Sequence, residues 1–488
     1  MGSSWSSAAV KPAPNGYLRV EGTQIMLDGK PFVLKGAALG GWMNMENFIT
    51  GYTGHEHQLR EAMLDVLGKD KYEFFFDKAN IHFLTYFFGE DDAKLFASLG
   101  LNCLRLPVNY HHFEDDMNPR VFKKEGLKHL DRVVDLCAKH GIYTVIDLHA
   151  APGGQNIGWH SDNGSSIALF YDHKDFQDRT VKIWEHLAAH YKDNTWVAGY
   201  NPINEPTDRK YHRLNAFYDR IEKAIRAVDP HHMLFLDGNT FAWDFSHFPK
   251  PLPNCVYACH DYSPYGFPNP PAPFKGTPEQ IKEHERMYAE KTEYMTKNKA
   301  GGFCLLLMES LADASSVRYG NAEDGIPNWE EINNDRFAML ETQLDIYARV
   351  KASWSIWLYK DIGFQGMTYV GEDTPYIKLL KPFLLKKKRF APDAWGVDDS
   401  PVRALFEPLE KWLEENVPSI VDRYPQQYGT KLWLQRVVRE TLLSEEMVKE
   451  YAGYFRGKGY DDLDELAKSF SLGGAKSEED MFGGPEQL

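Results

Sequence analysis

The chain has 488 residues, 43% hydrophobic and 14% aromatic, enough apolar side chain for a large core and too much for a disordered polypeptide. A formal net charge of -15 argues against nucleic acid or an anionic membrane surface as partner, because either would repel it. No apolar run approaches the ~18 residues of a membrane helix, and the opening "MGSSWSSAAVKPAPNG" has neither the basic start nor the apolar core of an export signal, so a cytoplasmic location is expected.

Residues 17–36, "YLRVEGTQIMLDGKPFVLKG", alternate apolar and polar side chains around Asp28-Gly29, the pattern of a β-hairpin with a tight turn. It reads as a cover over one end of a larger fold. Eight short apolar runs follow: "PFVLKGAALGGW", "LNCLRLPVNY", "YTVIDLH", "VAGYNPINEP", "HMLFLDGN", "CVYACHDY", "GFCLLLMES" and "ASWSIWLYK". Between them lie segments such as 120–140 and 212–229, with apolar residues at three- and four-residue intervals, which read as helices with one buried stripe. Strand–helix alternation repeated eight times predicts an α/β fold, a closed parallel (β/α)8 barrel. An open doubly wound sheet fits less well, since no Gly-x-Gly-x-x-Gly follows the first strand.

Two regions exceed a minimal barrel. Residues 46–90 read as a helical insertion after strand one, on the side where such loops meet a site. The aromatic run 72–88 within it reads mainly as helix core. The barrel is expected over 17–385, a C-terminal helical extension packed on it over 386–470, and a polar, Gly-rich, disordered tail over 471–488. The extension is a candidate either to pair two copies of the chain or to shape the site. Five cysteines, at 103, 137, 255, 259 and 304, fit buried thiols in a reducing compartment. Asn163-Gly-Ser165 is a glycosylation sequon, a triplet common by chance.

In a barrel of this kind functional groups lie at the carboxyl ends of the strands. These ends carry Arg105 and Asn109, His149, Asn204 and Glu205, His260 and Tyr262, Glu309, and Trp357 and Tyr359. Two carboxyls sharing a cleft raise each other's proton affinity, while a neighbouring arginine or tyrosine lowers that of one member, so the pair holds one proton between two unlike roles. Glycoside hydrolysis needs such a pair. His111, His112, Glu114, Asp115 and Asp116 read as a loop of solvated charge rather than a metal site.

The motifs "GAALGGWMNMENFI", "LRLPVNY", "DLHAAPGGQN", "NPINEP", "HDYSP" and "LMES" resemble, in order and spacing, glycoside hydrolase family 5 of clan A, and within it the fungal exo-β-1,3-glucanase and β-glucosidase-like branch. The resemblance implies a retaining exo-β-glycosidase acting on a glycoside or oligosaccharide, with no metal or organic cofactor. It implies Glu205 as acid/base and Glu309 as nucleophile, with Arg105 and Tyr262 beside Glu309. Asn204 would hold the 2-hydroxyl, His149 and His260 would bind sugar hydroxyls, and Trp357 would floor the sugar site. Glu46 and Asp162 match two acids that grip the terminal sugar at its 4- and 6-hydroxyls. Tyr359 stands where the exo-glucanases carry a second tryptophan in contact with that sugar, so xyloside, glucoside and a less common terminal sugar all remain open. Three other readings compete: a carbohydrate-binding protein on an inactive barrel, an endo-acting β-glucanase, and an aldolase-type barrel, for which Lys360 is the one strand-end lysine. Lys360 is expected to pair with Asp361 or Glu309 instead.

Overall fold

The computed structural model describes residues 16–76, 83–265, 273–307, 329–392, 399–417, 430–473 and 475–477. Eight parallel strands close into a barrel in chain order: β1 (Lys35–Ala38), β2 (Cys103–Asn109), β3 (Tyr143–Ala150), β4 (Val197–Asn201), β5 (Met233–Asp237), β6 (Cys255–His260), β7 (Gly301–Leu307) and β8 (Ser353–Trp357), with β8 paired back onto β1. Every residue of β2 to β6 is buried, because helices cover the outer face while side chains fill the inner one; unbroken apolar runs, rather than alternation, are the consequence.

Helices Lys124–Lys139, Lys174–Tyr191, His212–Val228, Pro278–Lys291 and Trp329–Val350 form the outer ring. The expected alternation fails once. Between β5 and β6 the connection holds only the four-residue turn Asn239–Ala242, whose Thr240, Phe241 and Ala242 have positive φ. Its sequence, "GNTFAWDFSHFPKPLPN", carries three prolines, which cannot donate to a helical ladder.

The N-terminal segment forms three short antiparallel strands, Arg19–Glu21, Gln24–Leu27 and Lys30–Pro31. Asp28 and Gly29, at φ 49 and 72, supply the two left-handed residues of its tight turn. Its Leu18 and Ile25, with Leu34, pack on Cys103, Tyr143, Met233 and Val256 at the amino ends of the strands, so the hairpin plugs the end opposite the site.

The insertion contains Glu56–Phe76, Phe83–Phe87 and Glu90–Ser98. Phe75, Phe76, Phe83, Phe87 and Phe88 are buried, so this part of the aromatic run is core. Its partners come from the C-terminal helices: Phe455 packs on Phe75, and Phe470 on Phe83 and Phe87. Helix Pro375–Phe390 runs through the expected boundary at 385, and its Tyr376 hydroxyl donates to Thr50 O. Within the expected tail, Ala475–Ser477 pairs antiparallel with Thr368–Val370, which corrects the disordered reading for those residues.

Candidate active site

Glu205 sits at the end of the segment that follows β4, 7% exposed and with φ 48. A left-handed non-glycine residue is strained by roughly 1 kcal/mol or more, and the conformation is held by Asp237, whose carboxylate accepts the Glu205 backbone N–H at 2.9 Å. The Glu205 carboxylate lies between two imidazoles. His260 Nδ1 is 2.5 Å from Oε1 and His160 Nε2 is 2.8 Å from Oε2. Burial pushes the carboxyl up, but the charges and hydrogen bonds of His260 and His160 outweigh it and hold the group well below the usual carboxylate value. For His260, burial pulls the pKa down, whereas the charge of Glu205 and the hydrogen bonds the ring donates to Asp237 and Glu205 raise it to about 9. The Tyr262 hydroxyl is 3.5 Å from His260 Nδ1.

A second network lines the centre of the barrel mouth. Arg105 donates to Asn204 Oδ1 at 2.7 Å and Asn201 Oδ1 at 3.0 Å, and pairs with Asp147 at 2.9 Å. Its Nη1 is buried with no hydrogen-bond partner among the described residues. Asp147 also takes His149 Nδ1 at 2.7 Å, and His149 Nε2 lies 3.4 Å from Asn204 Nδ2. The His149 ring stacks on Trp357, centroids 5.1 Å apart and planes 4° from parallel. These groups present an arginine, an amide, an imidazole and an indole around one space, a set suited to an uncharged polyol with an apolar face.

The two acids assigned to the terminal sugar differ. Glu46 accepts the Trp159 indole N–H at 3.1 Å through Oε2, while Oε1 is 3.5 Å from His149 Nε2. Asp162 is fully engaged: Oδ1 accepts from the His57 backbone at 2.9 Å and meets its ring at 2.7 Å, and Oδ2 accepts from Asn109 at 2.9 Å with His111 at 3.5 Å. Burial raises its pKa, and the two imidazoles more than reverse this, holding it well below normal. Asp162 therefore fastens the loop after β3 to the insertion helix and to the loop after β2.

Tyr359 is placed elsewhere. It is fully buried, its hydroxyl donates to Asp92 at 3.0 Å and its ring packs edge-on against Phe88 and Phe96, at the barrel–helix interface. Lys360 pairs with Asp92 at 2.6 Å, not with Asp361, and also donates to the carbonyls of Phe87 and Phe470. Glu114, read as solvated, is buried in an ion pair with Arg179. Glu309 lies outside the described residues. Among the described residues, no group of three or more His, Cys, Asp or Glu is placed to hold a metal ion, and no helix is long and apolar enough to cross a membrane.

Several participants are absent from the sequence reading. Asp237 ends the fifth apolar run and was within reach of the strand-end rule. Trp159 and His160 lie in an aperiodic loop that no pattern marks. That loop is fixed by Asn163, whose amide donates to Asn156 O and Ile167 O, so the sequon asparagine is consumed internally.

A profile of the Cellulase family, glycosyl hydrolase family 5, matches residues 68–360. A beta-xylosidase of Phanerodontia chrysosporium is 54% identical over 465 residues, covering 93% of this chain and 94% of its own. A probable glucan 1,3-beta-glucosidase A of Aspergillus clavatus is 26% identical over 366 residues, 68% of this chain and 84% of that protein. Endoglucanase C of Acetivibrio thermocellus is 31% identical over 186 residues, 38% of this chain and 51% of that protein.

Proposed function

Because the chain belongs to the Cellulase family, glycosyl hydrolase family 5, we propose that it is a retaining, exo-acting β-glycosidase in which Glu205 is the acid/base and Glu309 the nucleophile. Glu309 attacks the anomeric carbon as Glu205 passes a proton to the departing glycosidic oxygen. Water, deprotonated by Glu205, then cleaves the glycosyl–enzyme ester, and two inversions return the β configuration. The observation that carries the reading is the buried Glu205 carboxylate held by two imidazoles at the barrel mouth. A buried carboxyl whose proton affinity is set by two imidazoles is the arrangement that acid/base chemistry requires.

The terminal sugar is a β-xyloside in preference to a β-glucoside. Asp162 is tied to His57, Asn109 and His111, which leaves Glu46 as the acid available to the sugar. One carboxylate serves a 4-hydroxyl, whereas a 6-hydroxyl, which xylose lacks, would want the second. The end-to-end likeness to a beta-xylosidase supports the same choice. Assays on aryl β-xyloside, glucoside, galactoside, mannoside and fucoside are expected to give kcat/KM at least about tenfold higher for the xyloside than for the glucoside. With the activated xyloside, Glu205→Ala should accumulate glycosyl-enzyme and release β-xylosyl azide when azide is added, and Glu309→Ala should form no adduct. A first-formed α product, followed by NMR, sinks the double-displacement reading.

The C-terminal helices support pairing of two copies: Leu405, Leu409 and Trp412 form an exposed apolar stripe on Ser400–Asn416. Sedimentation velocity should show a dimer that Trp412→Glu converts to monomer; a monomeric wild type rejects the pairing.

A further inference from the structure

The helix that starts at Thr430 changes register at Arg436–Leu443 to a π-helical turn before resuming as Ser444–Gly453. Such turns interrupt an α-helix at a cost and are frequent at functional sites. Here the turn is clasped from two sides. Gln58 of the insertion donates to Thr441 O at 3.3 Å and Thr53 to Ser444 O at 3.2 Å, while Thr441 itself donates to Gly164 O in the loop after β3. The first residue of the turn, Arg436, is 8% exposed, and its guanidinium carbon lies 5.0 Å from the centre of the Trp159 ring. One nitrogen pairs with Glu440 at 3.2 Å, and Nε is buried with no hydrogen-bond partner among the described residues. The indole face is thus a principal contact of a cation taken out of water. The indole N–H, in the plane of the ring, donates to Glu46 at 3.1 Å, and the next residue, His160, holds Glu205.

We propose that Arg436 is a positioning residue for terminal-sugar recognition: its guanidinium fixes the plane of Trp159 so that the indole N–H aims the Glu46 carboxylate at the sugar's hydroxyls. A cation over one face of an indole restricts ring rotation and draws density from the ring, making its N–H a stronger donor. The C-terminal helices then complete the sugar site although none of their side chains need touch the sugar. The inference rests on the reading of Glu46 as a sugar ligand, and a double-mutant cycle separates the two.

Arg436→Met keeps the length and apolar stem and deletes the charge; Trp159→Phe keeps a ring under the guanidinium and deletes the N–H; Glu46→Gln weakens the acceptor. With an aryl β-xyloside, Glu46→Gln is expected to raise KM about tenfold or more, and Arg436→Met and Trp159→Phe each about threefold to tenfold, with kcat within about twofold of wild type. Combining Arg436→Met with Glu46→Gln should leave KM no higher than Glu46→Gln alone, and Arg436→Lys should recover part of the loss. Two results overturn the proposal while leaving Glu46 as a ligand: KM effects that multiply in full, or a wild-type KM in Trp159→Phe, which also decides the matter if Arg436→Met does not fold. A wild-type KM in Glu46→Gln removes the sugar-ligand reading and the proposal with it.

Discussion

At the scale of single residues, the acid/base role proposed for Glu205 implies that the proton for leaving-group departure is stored beside it rather than on it. In the unliganded site the carboxyl is held low and His260 is raised to about 9, so the shared proton rests on the imidazole side of their 2.5 Å contact. In the proposed mechanism a leaving oxygen brought to Glu205 draws the proton across that short bond, so the pair should titrate as a unit. The alkaline limb of kcat/KM should therefore fall near the His260 value. His260→Asn removes the proton store and the cationic neighbour together, so the limb should move to lower pH by about one unit or more, as the carboxyl titrates alone; a profile that does not move would place the proton elsewhere. The same pair makes a stability prediction. Glu205 is lowered from 4.5, so its contribution is present above that value and lost as pH falls; His260 is raised from 6.5, so its contribution is complete below 6.5 and lost as pH rises through about 9. The loss of Tm in Glu205→Gln relative to wild type should accordingly be greatest between pH 4.5 and 6.5 and shrink at pH 9 and above.

At the scale of elements, the approach of β1 to β2 depends on a glycine. Gly36 lies opposite Cys103, and a Cβ there would sit 1.6 Å from the Cys103 carbonyl oxygen. The obstruction is backbone, which no rotamer change relieves, so β1 can approach β2 only through a bare Cα. Gly36→Ala should cost roughly 3 kcal/mol or more, seen as a large fall in Tm or as loss of soluble protein; a Tm within about 2 °C of wild type would mean the strands can separate freely. Gly453, at the end of a helix and with nothing within 4 Å of its added Cβ, is the opposite case. Gly453→Ala should stabilise by about 0.5 kcal/mol through the unfolded chain and the helix propensity alone. A denaturant midpoint that does not rise would show that the helix end needs the glycine. Nothing in the composition of the first apolar run marks Gly36 as the point of closest approach, because the obstruction is a carbonyl on another strand.

For the whole molecule, what was legible in the sequence divides along sequence separation. The eight strands could be read because burial on both faces leaves continuous apolar runs, and the hairpin because its turn requires Asp28-Gly29. Glu205 could be read because barrel topology assigns strand ends to one rim. Partners distant in the chain could not: Tyr359 and Lys360 turn to Asp92, Asp162 to His57 and His111, and Arg436 to Trp159, contacts that no local pattern encodes. The same separation makes the C-terminal helices part of the barrel's stability. Phe455 and Phe470 cover Phe75, Phe83 and Phe87, and the Phe470 carbonyl takes one of the three hydrogen bonds of the buried Lys360 ammonium. Burial of each such ring stabilises by roughly 1.5–3 kcal/mol, and an ammonium left short of an acceptor adds a further cost of about 1–3 kcal/mol. Together these approach the ~5–15 kcal/mol by which a folded domain exceeds its unfolded chain. A chain ending at residue 392 should therefore lack a cooperative thermal transition and have no glycosidase activity, because the barrel cannot bury the aromatic face of its own insertion. A soluble 1–392 fragment that unfolds cooperatively and turns over xyloside with the full-length KM would show that the insertion closes on the barrel unaided, and would also detach Arg436 from the sugar site.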